Sequence, residues 1–398
     1  MFATGACIRT RAGGHQSEDA VTATVGAPQR DYFLGLDALR GAGALIVITA
    51  HMPDKTLFRL MPSAHLGIDF FFMLSGFVVA NAYLSKLERG MGLWDFTLIR
   101  LIRLYPLYFL STVLGAAFFA VLLLKGWADF GWGPWAATLA ANLFYIPINP
   151  SWAISAGEVY PFNVPAWTLF WELAANTVFA LLALRMRGWF LAAVVFSGLV
   201  MISLSAISYG NLHQGWAWEN FLGGGSRVWF ALFAGVALHR LHRQGKLPRI
   251  GGTMPLVALT PFAVMALPAS AELRPYVDVA VAAIVLPVLV TIAAYTRPRP
   301  GFETAFSSWA GRLSYGVYVL QMPIIMIVGT AYAVLFDAPY ETLGVFGTLA
   351  LMGAVVAAAW AADLWFDTPV RNVLRAWHKG VKPRAAAEAA ANSSEARP

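Results

Sequence analysis

The stretch LRGAGALIVITAH, residues 39–51, sets Arg40 and His51 at the two ends of ten uncharged, mostly apolar residues. At about 100° per residue, eleven helical steps return to within about 20° of the same face, and the two groups lie roughly 16 Å apart along the axis. They share a face without touching. Ionisable groups within an apolar helix are costly and commonly line a cavity. The alternative is that each snorkels to its own membrane surface. Asp37, three residues before Arg40, is the helical partner expected for the guanidinium. The next apolar run, HLGIDFFFMLSGF (65–77), brings Asp69 to a depth similar to that of His51. A carboxylate there can accept a hydrogen bond from one imidazole nitrogen and leave the other to act as a base. His51 and Asp69 are therefore a candidate catalytic pair. Ser75 and Gly76, in the same run, are small enough for close helix packing.

Long apolar helices must hold these groups. Of the 398 residues, 59% are hydrophobic and 12% charged, with a mean hydropathy of +0.62. Water-soluble domains are about 45–50% apolar and about 25% charged. The expected fold class is an all-α integral membrane protein, a bundle of about ten transmembrane helices. The candidate spans are 34–52, 66–84, 106–124, 165–184, 189–208, 226–239, 253–269, 276–295, 313–336 and 343–366, with the sixth extending back through NFLGG. Alternating these spans places most of the 28 Lys and Arg residues on one side. Lys55, Arg59, Lys125, Arg227 and Arg274 fall on the other, and Arg40 lies within the first span. The positive-inside rule then sets both termini in the cytoplasm.

The basic pI of about 9.6 follows from these short clusters and gives no reason to expect nucleic acid. Cys7 is the one cysteine, which excludes a disulfide framework. No metal-ligand spacing occurs, so no metal is expected. Residues 1–32 have no apolar signal-peptide core and read as a flexible cytoplasmic tail, 33–372 as the membrane domain, and 373–398 as a second polar tail. The longest outer connection, about 125–164, is rich in Trp, Pro and Asn. Its segment 135–146 reads as an interfacial helix, since Trp and Tyr favour that depth; stacking on sugar rings is the other use of such a loop.

Six segments, in order, resemble the membrane-bound acyltransferase family 3. LDALRGAGALIVITAH carries that family's arginine–ten residues–histidine element, and LGIDFFFMLSGFVVA its second-helix signature. RLIRLYPLYFL (100–110) resembles its basic segment, PAWTLFWE (165–172) its Trp-Ser-Leu-x-x-Glu element, GRLSYGVYVLQMP (311–323) its late Ser-Tyr-x-x-Tyr-Leu-x-His-x-Pro element, and FDTP (366–369) its Glu-x-Pro. The resemblance covers about residues 33–372. Gln321 stands where many relatives carry histidine, Asp367 replaces the glutamate, and Ala175-Asn176 replaces a Phe-Tyr pair. These departures bear on the acceptor more than on the reaction.

The resemblance implies an O-acyltransferase that moves an acyl group, by default acetyl, from cytoplasmic acyl-CoA to a hydroxyl of a carbohydrate or glycolipid acceptor, such as an exopolysaccharide or lipopolysaccharide. It implies that His51 and Arg40 are required. Arg100 and Arg103, one helical turn apart, become candidates to hold the phosphates of CoA together with Arg40, since arginine presents a planar fork of donors to phosphate. His51 would act as general base or carry the acyl group briefly. Asp69 would orient its ring, and Glu172 would share the cavity as a partner for Arg40. His65, ahead of the second span, is a candidate contact for the acceptor. His239 and His242 read as interfacial. A multi-span transporter or flippase of an envelope sugar or small metabolite is the other class that polar spans allow. It predicts paired broken helices, and none is evident.

Overall fold

The structure is a computed structural model that describes residues 33–52, 60–152, 154 and 157–380. The expected N-terminal tail and most of the C-terminal one lie outside these residues. Among the described residues there is no strand, and one antiparallel bridge joins Glu158 to Ala217. The chain forms α1 (Leu34–Thr49), α2 (Gly67–Glu88), α3 (Leu93–Leu124), α4 (Trp132–Leu143), α5 (Ala166–Leu182) and α6 (Gly188–Tyr209). It continues with α7 (Phe221–Arg243), α8 (Met254–Met265), α9 (Arg274–Tyr295), α10 (Phe302–Phe336) and α11 (Gly344–Ala362). A π turn, Asp363–Asp367, carries the last helix on as far as Gly380.

Seven of these, α2, α3, α6, α7, α9, α10 and α11, are long and apolar enough to cross a membrane. The apolar α5 and α8 are shorter, as is α1, which carries Asp37 and Arg40. Helical backbone satisfies its own polar groups, which is the condition for a chain segment in hydrocarbon.

Several helices outrun the apolar segment that announces them. α3 begins at Leu93, so Arg100 and Arg103 lie on the same rod as the apolar span expected from 106. The last helix likewise runs past 372, where His378 meets Asp95 at 3.8 Å. Charged residues continue a helix as readily as apolar ones; only the hydrocarbon contact ends. The segment expected to lie at the interface forms α4, and Trp135 Nε1 ties it to the Ala116 carbonyl at 3.0 Å.

The tightest crossing is between α2 and α7. A Cβ at Gly76 would lie 1.9 Å from the Leu232 carbonyl oxygen, and one at Gly235 would lie 2.1 Å from that of Met73. Backbone meets backbone at both points, so no side chain can give way. Gly76→Ala is expected to lower stability by about 1–3 kcal/mol through overpacking. A fall in the thermal midpoint of the detergent-solubilised protein would show it; an unchanged midpoint would mean that the helices separate freely.

Candidate active site

The α1 helix ends at Thr49, and His51 lies in the turn that follows. Its Nδ1 is 3.0 Å from the Val47 carbonyl oxygen. A carbonyl only accepts, so Nδ1 carries the proton and the neutral ring keeps its lone pair on Nε2. The expected contact with Asp69 does not form. That carboxylate faces Arg227, which donates from Nε to Oδ1 at 3.1 Å and from Nη2 to Oδ2 at 2.6 Å. The reason is the azimuth of Asp69 on α2, which turns it toward α7. The helix's own backbone takes over the role foreseen for the carboxylate in fixing the tautomer of His51.

Arg227 itself was expected in an outer segment. It is instead inside α7 with no exposed surface. Beyond Asp69 it donates to the carbonyls of Gln214 and His65, each at 2.8 Å, and its guanidinium lies 5.4 Å from the centre of the Trp167 ring. The sequence held a signal for this. An arginine within FLGGGSRVWFALFAGVAL is an intramembrane cation that needs an anion, and Asp69 is the one it meets.

Two cavities lie along the line from Arg40 to His51. The first is lined by Arg40, Arg100, Arg103, Ser75, Glu172 and Tyr315, among others. Glu172 Oε1 accepts from Arg100 Nη2 at 2.7 Å and from Ser75 Oγ at 2.6 Å. Glu172 was expected to pair with Arg40, but Arg100 is the cation that reaches it, because it sits on the extension of α3. Arg40 keeps its helical neighbour Asp37 at 3.7 Å. Arg103 stands over the Tyr315 ring at 5.9 Å. Three guanidiniums line one cavity, two of them beside the carboxylates Glu172 and Asp37, and the Nε of Arg100 is buried without a hydrogen-bond partner. Such a set of donors suits a phosphorylated ligand. Ser75, read first as a packing residue, is a hydrogen-bond donor here.

The second cavity is lined by His51, His65, His213, Glu158, Trp167 and Trp216, among others. His65 Nε2 is 2.8 Å from Asp278 Oδ2. The same oxygen accepts the Leu212 N–H at 3.0 Å, and Asp278 is fully buried beside Arg274. Asp278 thus accepts from several donors, and Nε2 is the His65 nitrogen that carries the shared hydrogen. The His65–Asp278 pair was not foreseen, since the two are far apart in sequence and Asp278 looks like an end-of-span charge. His213 packs against His65 with ring centres 5.8 Å apart. Desolvation by the surrounding chain, with repulsion from His65 and Arg227, pushes its pKa down to about 4. His213 is therefore uncharged at neutral pH.

Of the remaining motif residues, Asp367 lies within electrostatic reach of Arg103 and Tyr315, which line the arginine cavity. Asp367 pairs with Arg371 at 3.0 Å, and Asp363 with Arg312 at 3.3 Å, tying α10 to the last helix. Gln321, at the position where relatives carry histidine, is buried and donates from Nε2 to the Tyr318 carbonyl. Among the described residues, no group of three or more His, Cys, Asp or Glu side chains is arranged to hold a metal ion.

The chain is 36% identical over 162 residues to "Protein 2 in picA locus" of Rhizobium radiobacter, covering 38% of this chain and 82% of that one. It is 31% identical over 156 residues to the exopolysaccharide production protein ExoZ of Rhizobium meliloti, covering 38% of this chain and 43% of ExoZ. It is 25% identical over 339 residues to the peptidoglycan O-acetyltransferase OatA of Listeria monocytogenes, covering 75% of this chain and 50% of OatA. The chain thus spans half or less of ExoZ and OatA. No solved structure matches it. A family model described as an acyltransferase domain matches residues 33–364, the stretch that holds both cavities and every residue of the Arg40–His51 line. With its apolar spans and that match, the chain is a membrane protein that belongs to acyltransferase family 3, and it is an acyltransferase.

Proposed function

We propose that this protein transfers an acyl group, by default acetyl, from cytoplasmic acyl-CoA to a hydroxyl of a cell-envelope carbohydrate. In this reading ten helices cross the bacterial inner membrane and both chain ends are cytoplasmic. The arginine cavity then opens toward the cytoplasm and the histidine cavity toward the outer face. The observation that carries the reading is this division along one line: guanidiniums at one end, a base with a fixed tautomer at the other. Membership of an acyltransferase family weighs against the transport alternative. The names of ExoZ and OatA, an exopolysaccharide protein and a peptidoglycan O-acetyltransferase, support a carbohydrate acceptor.

The steps follow from the residues. Arg103, Arg40 and the free donors of Arg100 hold the phosphates of CoA. Glu172, already paired with Arg100, fixes that guanidinium in place. The thioester reaches toward His51, and a hydroxyl enters the histidine cavity. Nε2 of His51 takes the hydroxyl proton as the oxygen attacks the thioester carbon, and the carbon–sulfur bond breaks. The proton then passes to the departing sulfur, leaving the ester and CoA. Trp167 and Trp216 offer aromatic surface to a sugar ring. Asp69 acts through Arg227, by holding the floor of this cavity together.

Titration of CoA into the purified protein in nanodiscs tests the donor half. The double variant Arg100→Gln, Arg103→Gln is expected to weaken binding at least about 100-fold, as charge-assisted hydrogen bonds to phosphate are each worth about 1.5–3 kcal/mol. His51→Ala should bind CoA as the unaltered protein does. Equal affinity in the double variant would remove the arginines from the donor site.

A further inference from the structure

A third cavity, of about 580 Å³, lies between α1, α8 and α10. Sites that enclose a whole small ligand have about this size. Glu303, at the start of α10, is its single charged lining residue, and alanine, leucine and phenylalanine side chains make up most of the rest. Ser314 is the one residue shared with the arginine cavity, and its hydroxyl donates to the Gly311 carbonyl at 2.8 Å, so the two are separate sites. The back wall is α1, from Ala38 to Leu45. Leu45 is the only exposed residue of that helix. Leu259 of α8 and Phe302 and Phe306 of α10 line the same cavity and are exposed as well. The opening therefore faces outward between α8 and α10, into the hydrocarbon around the bundle.

An apolar cavity gives water too few hydrogen-bond partners, and an empty one forfeits the dispersion contacts of its lining. Hydrocarbon fills it without either loss. Where α8 and α10 begin, the chemistry changes. The connections that lead into these two helices are joined by the Gly252 N–H, which donates to Thr296 Oγ1 at 2.9 Å. They carry Arg249, Arg297 and Arg299, all exposed, and none of the three forms an ion pair among the described residues. The backbone N–H of Arg299 donates to Glu303 Oε2 at 2.7 Å, which ties this basic connection to the rim of the cavity.

We propose that the cavity binds an acyl chain of an anionic glycerophospholipid of the bilayer, with the phosphate at the connection that holds Arg297 and Arg299. The chain packs along α1 and braces the helix that carries Arg40. The Ser307 hydroxyl, in the cavity lining one turn beyond Glu303, is buried without a hydrogen-bond partner and is the donor that the ester carbonyl of the chain meets. Arginines beside a membrane surface attract anionic headgroups, which separates such a lipid from a zwitterionic one.

Native mass spectrometry of the full chain, freed of lipid by detergent exchange, tests this with phosphatidylglycerol and phosphatidylcholine of the same acyl chains. The unaltered protein is expected to retain one phosphatidylglycerol and to prefer it over phosphatidylcholine. The double variant Arg297→Gln, Arg299→Gln should cut that preference by about tenfold or more, since each basic residue near the surface contributes about a fivefold factor. Ala258→Trp, which fills the cavity with an indole, should weaken binding of phosphatidylglycerol by about tenfold or more, because the ring takes the space of several methylenes. If Ala258→Trp does not fold, as judged by gel filtration, Leu259→Trp at the exposed mouth makes the same test. Retention by the tryptophan variant equal to that of the unaltered protein would place the lipid elsewhere and overturn the site. An unaltered protein that retains no lipid, or that binds the two lipids equally, would overturn the anionic ligand. The readout is bound lipid rather than acyl transfer, so it stands apart from the identity of the donor.

Discussion

His51→Ala is expected to reduce acyl transfer by about 10²–10⁴-fold, the usual contribution of a positioned general base. The Val47 carbonyl holds the proton on Nδ1, so Nε2 is the basic atom in every neutral molecule. Nδ1 meets a backbone carbonyl rather than Asp69, which is occupied by Arg227. His51→Gln should therefore not restore the rate, because an amide has no basic nitrogen. The acid limb of the pH–rate profile follows from the same role. The neutral ring is the active form, so the rate should rise with pH until His51 is deprotonated, and that limb should vanish with His51→Ala. Binding of CoA by the variant, unchanged, separates loss of the base from loss of the fold.

The largest effect on stability is expected at Arg227. Its guanidinium has no exposed surface and makes four hydrogen bonds, two of them to Asp69. Arg227→Met leaves a buried carboxylate without its cation, a loss of about 3–5 kcal/mol. The expected result is poor recovery from the membrane, or a thermal midpoint well below that of the unaltered protein. Replacing both members, Arg227→Met with Asp69→Leu, should recover a good part of that stability, because the unpaired charge is then gone. If Asp69 instead oriented His51, Asp69→Asn would change the pH–rate profile. With Asp69 bound to Arg227, Asp69→Asn should lower stability and leave the acid limb in place.

The positions of the helices were legible in the sequence because apolar runs, turns and basic clusters are one-dimensional signals. The polar line of α1 was legible for the same reason: the spacing of Arg40 and His51 is a property of one helix. Which charge meets which was not. Sequence gives the depth of Asp69 but not its azimuth, since α2 is apolar on all sides and shows no face. The neighbour that claims Asp69 is on α7, whose extension back through NFLGG was legible, but counting Arg227 with the outer segment set it apart from the helix that holds it. Glu172 found Arg100 rather than Arg40 because α3 begins well before its apolar span. Pairs such as His65 and Asp278 depend on helix order around the bundle, which hydropathy does not record.

In the proposed reaction the Arg40–His51 line joins a CoA site to an acyl acceptor site. Its most direct test uses purified protein in nanodiscs with acetyl-CoA labelled in the acetyl group and a cell-envelope extract, comparing the unaltered protein with His51→Ala and Arg40→Ala. The predicted result is label in an alkali-labile ester of an envelope carbohydrate for the unaltered protein, and none above background for either variant, each still monodisperse. Transfer that persists in His51→Ala, or an unaltered protein that neither binds nor consumes acetyl-CoA, would contradict it.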